Sequence, residues 1–187
     1  MVLENYKIKE ESELESILIS DIGQIEDGLK VIGSQIRTSN GEGRLDILCV
    51  DTDKVLTIIE LKNVSDETQL QQGLVYFDWV LSNLYWIKGV YKIPDLEEVS
   101  PRLILIAPEF SDDLINEAKY LGDNVALTLL TFNAFRINGK VEEIFNPVKM
   151  TEISEIQDKP KEMEDHYEFI TDSEIRKVLR WTVDEIS

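Results

Sequence analysis

Two runs rich in Leu, Ile and Val, Arg44 to Val50 and Val55 to Lys62, flank the polar segment Asp51-Thr52-Asp53-Lys54 and predict consecutive strands of a hairpin. With Thr52-Asp53-Lys54 as the loop, Asp51 opposes Val55 and Asp46 opposes Glu60. Side chains alternate along a strand, so Lys62 shares the face of Glu60, with Arg44 opposite it. Leu48, Val50, Leu56 and Ile58 complete that face, and Leu45, Ile47, Cys49, Val55, Thr57, Ile59 and Leu61 form the other. Both faces are apolar, as in the middle of a layered α/β domain. A loop one residue longer or shorter would turn Asp46 and Glu60 to opposite faces.

Other periodicities place the remaining elements. Glu10 to Ser20, with Leu14, Ile17 and Leu18 apolar, predicts an amphipathic helix, and Leu29 to Arg37 a strand after the Asp27-Gly28 turn. Ser39 to Gly43 forms a loop beside the hairpin's open end. Ser65 is the expected N-cap of a helix running to about Ser82, with Leu70, Leu74, Phe77, Leu81 and Leu84 as its core stripe. Arg102 to Ala107 is a short apolar strand, and Ser111 caps a helix through Leu121. Val125 to Phe132 is a further strand, and Asn138-Gly139 suggests a hairpin between Phe135-Ile137 and Val141-Phe145. The order predicts a mixed central sheet flanked by helices over residues 1–146. Residues 147–187 read as an acidic linker followed by a C-terminal helix, Glu168 to Ile186.

Composition narrows the chemistry. The single cysteine, Cys49, falls mid-strand and reads as a core thiol, and the single histidine, His166, lies in the acidic tail. Imidazole-based triads and His/Cys zinc sites are thereby excluded, leaving carboxylates, lysine and metal for any hydrolytic site. No leader or membrane span is evident, so the expected location is cytoplasmic. A structural ion pair would by itself account for Glu60 and Lys62 or Arg44. Two acids converging with one lysine also meet the needs of a Mg²⁺ or Mn²⁺ phosphodiester site.

Asp46, then Glu60-Leu61-Lys62, then Gln72 and Tyr76 on a helix resemble the PD-(D/E)XK nuclease superfamily, in its NucS/RecB-like branch. That pattern runs Glu, G-[RX]-[IL]-D, E-[LF]-K and Q-x-x-x-Y, and the resemblance spans roughly Glu10 to Asn83. It departs from the motif's name by lacking a Pro before Asp46, and Lys54 stands where many relatives place a turn glycine. The resemblance implies a restriction-endonuclease-like fold and a metal-dependent deoxyribonuclease, endonuclease rather than exonuclease, acting in repair, restriction or mobile-element defence. Asp46, Glu60 and the Leu61 carbonyl would hold Mg²⁺ or Mn²⁺, and Lys62 would position or activate water. Glu11 would support the site, with Glu15 as second choice. Gln72 and Tyr76 would contact phosphate or hold Lys62, and Arg44 would bind substrate. Without the resemblance, surface polarity explains Gln72 and partial burial explains Tyr76. Trp79, Tyr85, Trp86 and Tyr91 allow two readings, a base-stacking platform and a buried helix-to-strand junction.

Charge opposes this reading. The net charge is −18, the wrong sign for holding DNA unaided. Residues 151–187 carry eleven acids against five bases, whereas residues 29–63 carry five of each. The expected partner is DNA, single-stranded or branched forms included, held through metal. A homodimer or a basic protein partner on the C-terminal helix, and no membrane, complete the expectation. The competing reading is an inactive nuclease-like module that binds protein through its acidic surface and C-terminal helix.

Overall fold

The structure, a computed structural model, describes residues 3–38, 43–121, 124–137 and 140–148. Its strands are β1 (Leu3–Tyr6), β2 (Lys30–Arg37), β3 (Arg44–Val50), β4 (Leu56–Leu61), β5 (Arg102–Ala107), β6 (Ala126–Ile137) and β7 (Lys140–Pro147). The helices are α1 (Glu11–Ser20), α2 (Gln69–Ser82), α3 (Leu84–Val90) and α4 (Asp112–Lys119). The strands form one seven-stranded sheet in the order β1-β6-β5-β4-β3-β2, with β7 on β6. β4, β5 and β6 run parallel, while β2, β3 and β4 form an antiparallel meander. This is the mixed sheet flanked by helices that the periodicities predict.

The sheet is apolar on both faces because each face is covered. Ile47, Cys49, Ile59, Leu61, Ile104 and Ile106 pack with Leu14 and Leu18 of α1. Leu48, Val50, Leu56, Ile58, Leu103 and Leu105 pack with Leu70, Phe77 and Val80 of α2 and Leu114 of α4. Cys49 is a buried free thiol in the first of these layers, and burial pushes its pKa up to about 12. Gly73 sets how closely α2 approaches the sheet, since a Cβ there would come within 2.9 Å of Leu105.

Several expectations change. The hairpin expected between Phe135-Ile137 and Val141-Phe145 forms, but its first arm is the end of one long strand, β6, that begins at Ala126, and the turn at Asn138-Gly139 lies outside the described residues. β7 runs on through Pro147, and Val148 N–H donates to Leu129 O at 2.9 Å. β1 was not anticipated; it forms because Leu3 to Tyr6 pair with Ala134 to Ile137, a partner remote in sequence. α2 begins at Gln69 rather than after Ser65, because Asp66 Oδ1 accepts both Thr68 N–H and Thr68 O–H and holds a turn there. Its buried face is rotated toward Gly73, Tyr76 and Val80, leaving Leu81 40% exposed. Trp79 and Tyr91 are at least half-buried and Trp79 meets Trp86 edge-on at 6.0 Å, but Tyr85 is 86% exposed on α3. No helix among the described residues is long and apolar enough to cross a membrane. The loop residues 39–42, the linker beyond 148, His166 and the C-terminal helix fall outside the described residues.

Candidate active site

The hairpin turn fixes what faces what. Asp51 Oδ1 accepts the N–H groups of Asp53 and Val55 at 2.9 Å each, and Asp51 N–H donates to Val55 O. Lys54 takes a left-handed φ of 65°, where glycine would be the easier residue. The other Asp51 oxygen accepts from Arg102 at 3.2 Å, and Arg102 grips Glu26 with two nitrogens. That grip lowers the Glu26 pKa. The resulting pairs run Val50 with Leu56 to Ile47 with Ile59, the register expected from the sequence.

Beyond Ile47 the ladder opens. Leu61 N–H donates to the Asp46 carboxylate at 2.8 Å, so a side chain replaces the bond that backbone would have made. Across β2, Gln35 stands in the left-handed region with φ 49°. Side-chain alternation slips here: Leu45 joins Leu48 and Val50 on the α2 face, with Ile36 beside them, while Ile47 faces α1. The strict alternation drawn from the sequence, with Leu45 on the face of Ile47, fails at this kink. Asp46 consequently lines a cleft of about 420 Å³ with Glu11, Ser12, Glu15, Gln35 and Leu61. Arg44 pairs with Arg37 at the strand end and is exposed; it does not line that cleft.

Glu60 is 2% exposed. Its Oε1 accepts from Lys62 Nζ at 3.3 Å, and Glu11 stands 3.8 Å from the same ammonium. Its Oε2 is buried with no partner among the described residues. Burial and then the charge of Asp46 push the Glu60 pKa up to about 8, against the pull of Lys62. Asp46 is raised as well, first by burial, with the Leu61 N–H and Lys62 opposing. Burial works to discharge Lys62, but Glu60, Glu11 and Asp46 outweigh it and its pKa rises. Three acids thus share one ammonium, and the excess negative charge calls for a proton or a cation.

The two glutamates of α1 reach this centre by different routes. Glu11 approaches Lys62 directly, whereas Glu15 connects to Asp46 through the Gln35 amide, which donates to Glu15 at 2.9 Å and to Asp46 at 3.3 Å. Burial and Asp46 raise the Glu15 pKa. On α2, Gln72 is half-buried with a buried Oε1 that has no partner among the described residues. Tyr76 is 5% exposed; its hydroxyl lies against Gly43 and receives the Arg44 N–H. Burial, then Glu60 and Asp46, raise its pKa. Two contributors escaped the sequence reading. Gln35 carries no signal beyond its place across from Asp46, and Gln69 gives only its spacing, one turn before Gln72 on the same helix.

Carboxylate and carbonyl oxygens are the donors that a hard divalent cation takes. Among the described residues no group of three or more His, Cys, Asp or Glu side chains is arranged to hold a metal alone. The oxygens here that could take one are the Asp46 carboxylate in the cleft and the buried, donor-less Glu60 Oε2, with water and substrate left to fill the shell that Mg²⁺ prefers.

Residues 10–107 match the family model of the endonuclease NucS C-terminal domain. Among solved structures the chain is similar to a repair endonuclease from Pyrococcus abyssi, at 24% identity and a TM-score of 0.48, over 67% of this chain and 47% of that one. It is also similar to EndoMS in a dsDNA complex, at 20% identity and a TM-score of 0.48, over 68% of this chain and 48% of that one. EndoMS in apo form aligns at 20% identity with a TM-score of 0.43, over 67% and 48%. The chain therefore spans about half the length of these structures. No curated protein sequence matches it.

Proposed function

The chain belongs to the endonuclease NucS C-terminal domain family, and from that premise we propose that it is a divalent-metal-dependent DNA endonuclease of the PD-(D/E)XK type, acting in repair. The observation that carries the reading is the shortage of positive charge at Glu60: a buried carboxylate oxygen without a donor, beside Asp46 and Glu11, with Lys62 as the shared ammonium.

Asp46, Glu60 and the Leu61 carbonyl would hold Mg²⁺ or Mn²⁺. When bound, the ion supplies Lewis acidity toward a phosphodiester oxygen and acidifies water. The remaining roles belong to the chain's own groups. Lys62 is held between Glu60 and Glu11, which keeps it charged, and it would position or activate the attacking water. The Gln72 amide and Tyr76 hydroxyl, one turn apart on α2, would contact phosphate or support Lys62. Glu15, through Gln35, restrains Asp46. The equal count of acids and bases in residues 29–63 lets the cation turn the local field favourable to a polyanion, despite a chain charge of −18.

The test is incubation of the full chain with duplex, branched and single-stranded DNA in Mn²⁺, beside Asp46→Ala, Glu60→Ala and Lys62→Ala. Cleavage by the parent chain and none by the three variants is the expected result. Cleavage that persists in the folded Asp46 and Lys62 variants would refute this site.

A further inference from the structure

We propose that Gln69 is a positioning residue for the Glu60-Leu61-Lys62 segment, an inference that rests on the nuclease reading above. Gln69 opens α2 and is fully buried, and its Nε2 donates to Glu60 O and to Ile106 O, both at 3.1 Å. An amide nitrogen has two hydrogens, so one serves each carbonyl. The reverse orientation would set its oxygen against two carbonyl oxygens, so the contacts fix which end of the amide is which.

Both carbonyls belong to the β4–β5 pairing, in which Glu60 pairs with Leu105 and Leu61 with Ile106, and Ile106 O also accepts Lys62 N–H at 2.9 Å. Glu60 C=O and Leu61 N–H belong to one planar trans peptide and point in opposite directions. Gln69 grips the carbonyl end and the Asp46 carboxylate grips the N–H end. A single rigid unit thus couples a helix residue to the acid across the cleft. The next peptide is held by Lys62 N–H on Ile106 O, which turns Leu61 C=O toward the opposite, Asp46 side. Without Gln69 the first peptide keeps its backbone pairing with β5 but loses its side-chain anchor to α2. A tilt of that peptide shifts Leu61 N–H against Asp46, and with it Asp46, Glu60 and the Leu61 carbonyl relative to one another.

Gln69→Met keeps length and apolar volume but removes the donor. In the full chain, the expected result is a Mn²⁺ concentration for half-maximal thermal stabilisation raised about 10-fold and kcat on duplex DNA lowered about 100-fold, with KM nearly unchanged. Gln69→Asn, whose shorter amide cannot span both carbonyls, should shift both in the same direction, and it serves if the Met variant does not fold. A purely structural role would lower Tm but leave kcat per folded molecule and Mn²⁺ half-saturation at parent values; that result overturns the inference while parent cleavage stands. A parent chain that neither cleaves DNA nor gains stability from Mn²⁺ sinks the nuclease reading, and this inference with it.

Discussion

The Asp46 carboxylate accepts Leu61 N–H at 2.8 Å, so that a β3 side chain stands where a β3 backbone carbonyl would otherwise complete the ladder. One contact does two things: it ends the pairing of β3 with β4 and keeps the opened end from losing a buried donor. Asp46→Asn separates these. The asparagine oxygen still accepts from Leu61, so Tm should stay within a few degrees of the parent, while loss of the charge removes cleavage by about 1,000-fold or more. Thermal melting and cleavage rates measured side by side check this, and equal loss of both would show that Asp46 matters only for folding.

Glu60 predicts an unusual pH dependence. Its pKa rises from an ordinary 4.5 to about 8 on folding, so between those values the folded chain holds more protons than the unfolded one. The stability linked to this group is complete below about 4.5 and is lost as pH climbs toward 8. Glu60→Gln should therefore flatten the fall in Tm between pH 5 and 8 and stabilise the metal-free chain at pH 8, by the order of a few kcal/mol. Mn²⁺ should release protons from the parent and not from the variant, which calorimetry in buffers of different ionisation enthalpy would detect.

Gly43 has φ 149°, and a Cβ there would collide with the Tyr76 hydroxyl. Gly43→Ala should destabilise by about 1–3 kcal/mol through backbone strain and displacement of the ring. Removing the hydroxyl with Tyr76→Phe in the same chain should recover the steric part. Denaturant titration of the two single variants and the double variant reports this as a favourable coupling of about 1 kcal/mol. Strict additivity would show that the two residues do not meet.

Gln35 holds a left-handed φ of 49° while its amide bridges Glu15 and Asp46. Gln35→Ala loses the bridge and keeps the strain, whereas Gln35→Gly loses both. The glycine variant should be more stable than the alanine variant by about 1 kcal/mol, and both should cleave more slowly than the parent. Equal stability of the two variants would mean that the backbone at this position carries no strain in solution.

How much of this was legible beforehand follows from where each constraint originates. The hairpin register was readable because Asp51 to Val55 is a local turn and the flanking strands repeat apolar residues on both faces. The strand Arg102 to Ala107 and the Ser111 cap were readable for the same reason: a short apolar run between prolines, and a hydroxyl that accepts Leu114 N–H three residues on. The buried face of α2 was not, because Gly73 contributes no apolar signal yet lets the helix approach Leu105. β1 was not either, since Leu-Glu-Asn-Tyr acquires its extended form from Phe135 and its neighbours across more than a hundred residues.

From residues alone came the layered α/β architecture, the hairpin register from Val50 with Leu56 to Ile47 with Ile59, and the set of groups available for chemistry, because each depends on spacing within one or two neighbouring elements. Tertiary structure decided which way those groups turn. The slip at Gln35 and Asp46 places Asp46 in the cleft with the α1 glutamates, and Gln69 ties the Glu60-Leu61-Lys62 backbone to β5, a strand about forty residues further on. Both are contacts between segments distant in sequence, formed when the sheet and its two helical layers close, and no local pattern encodes them.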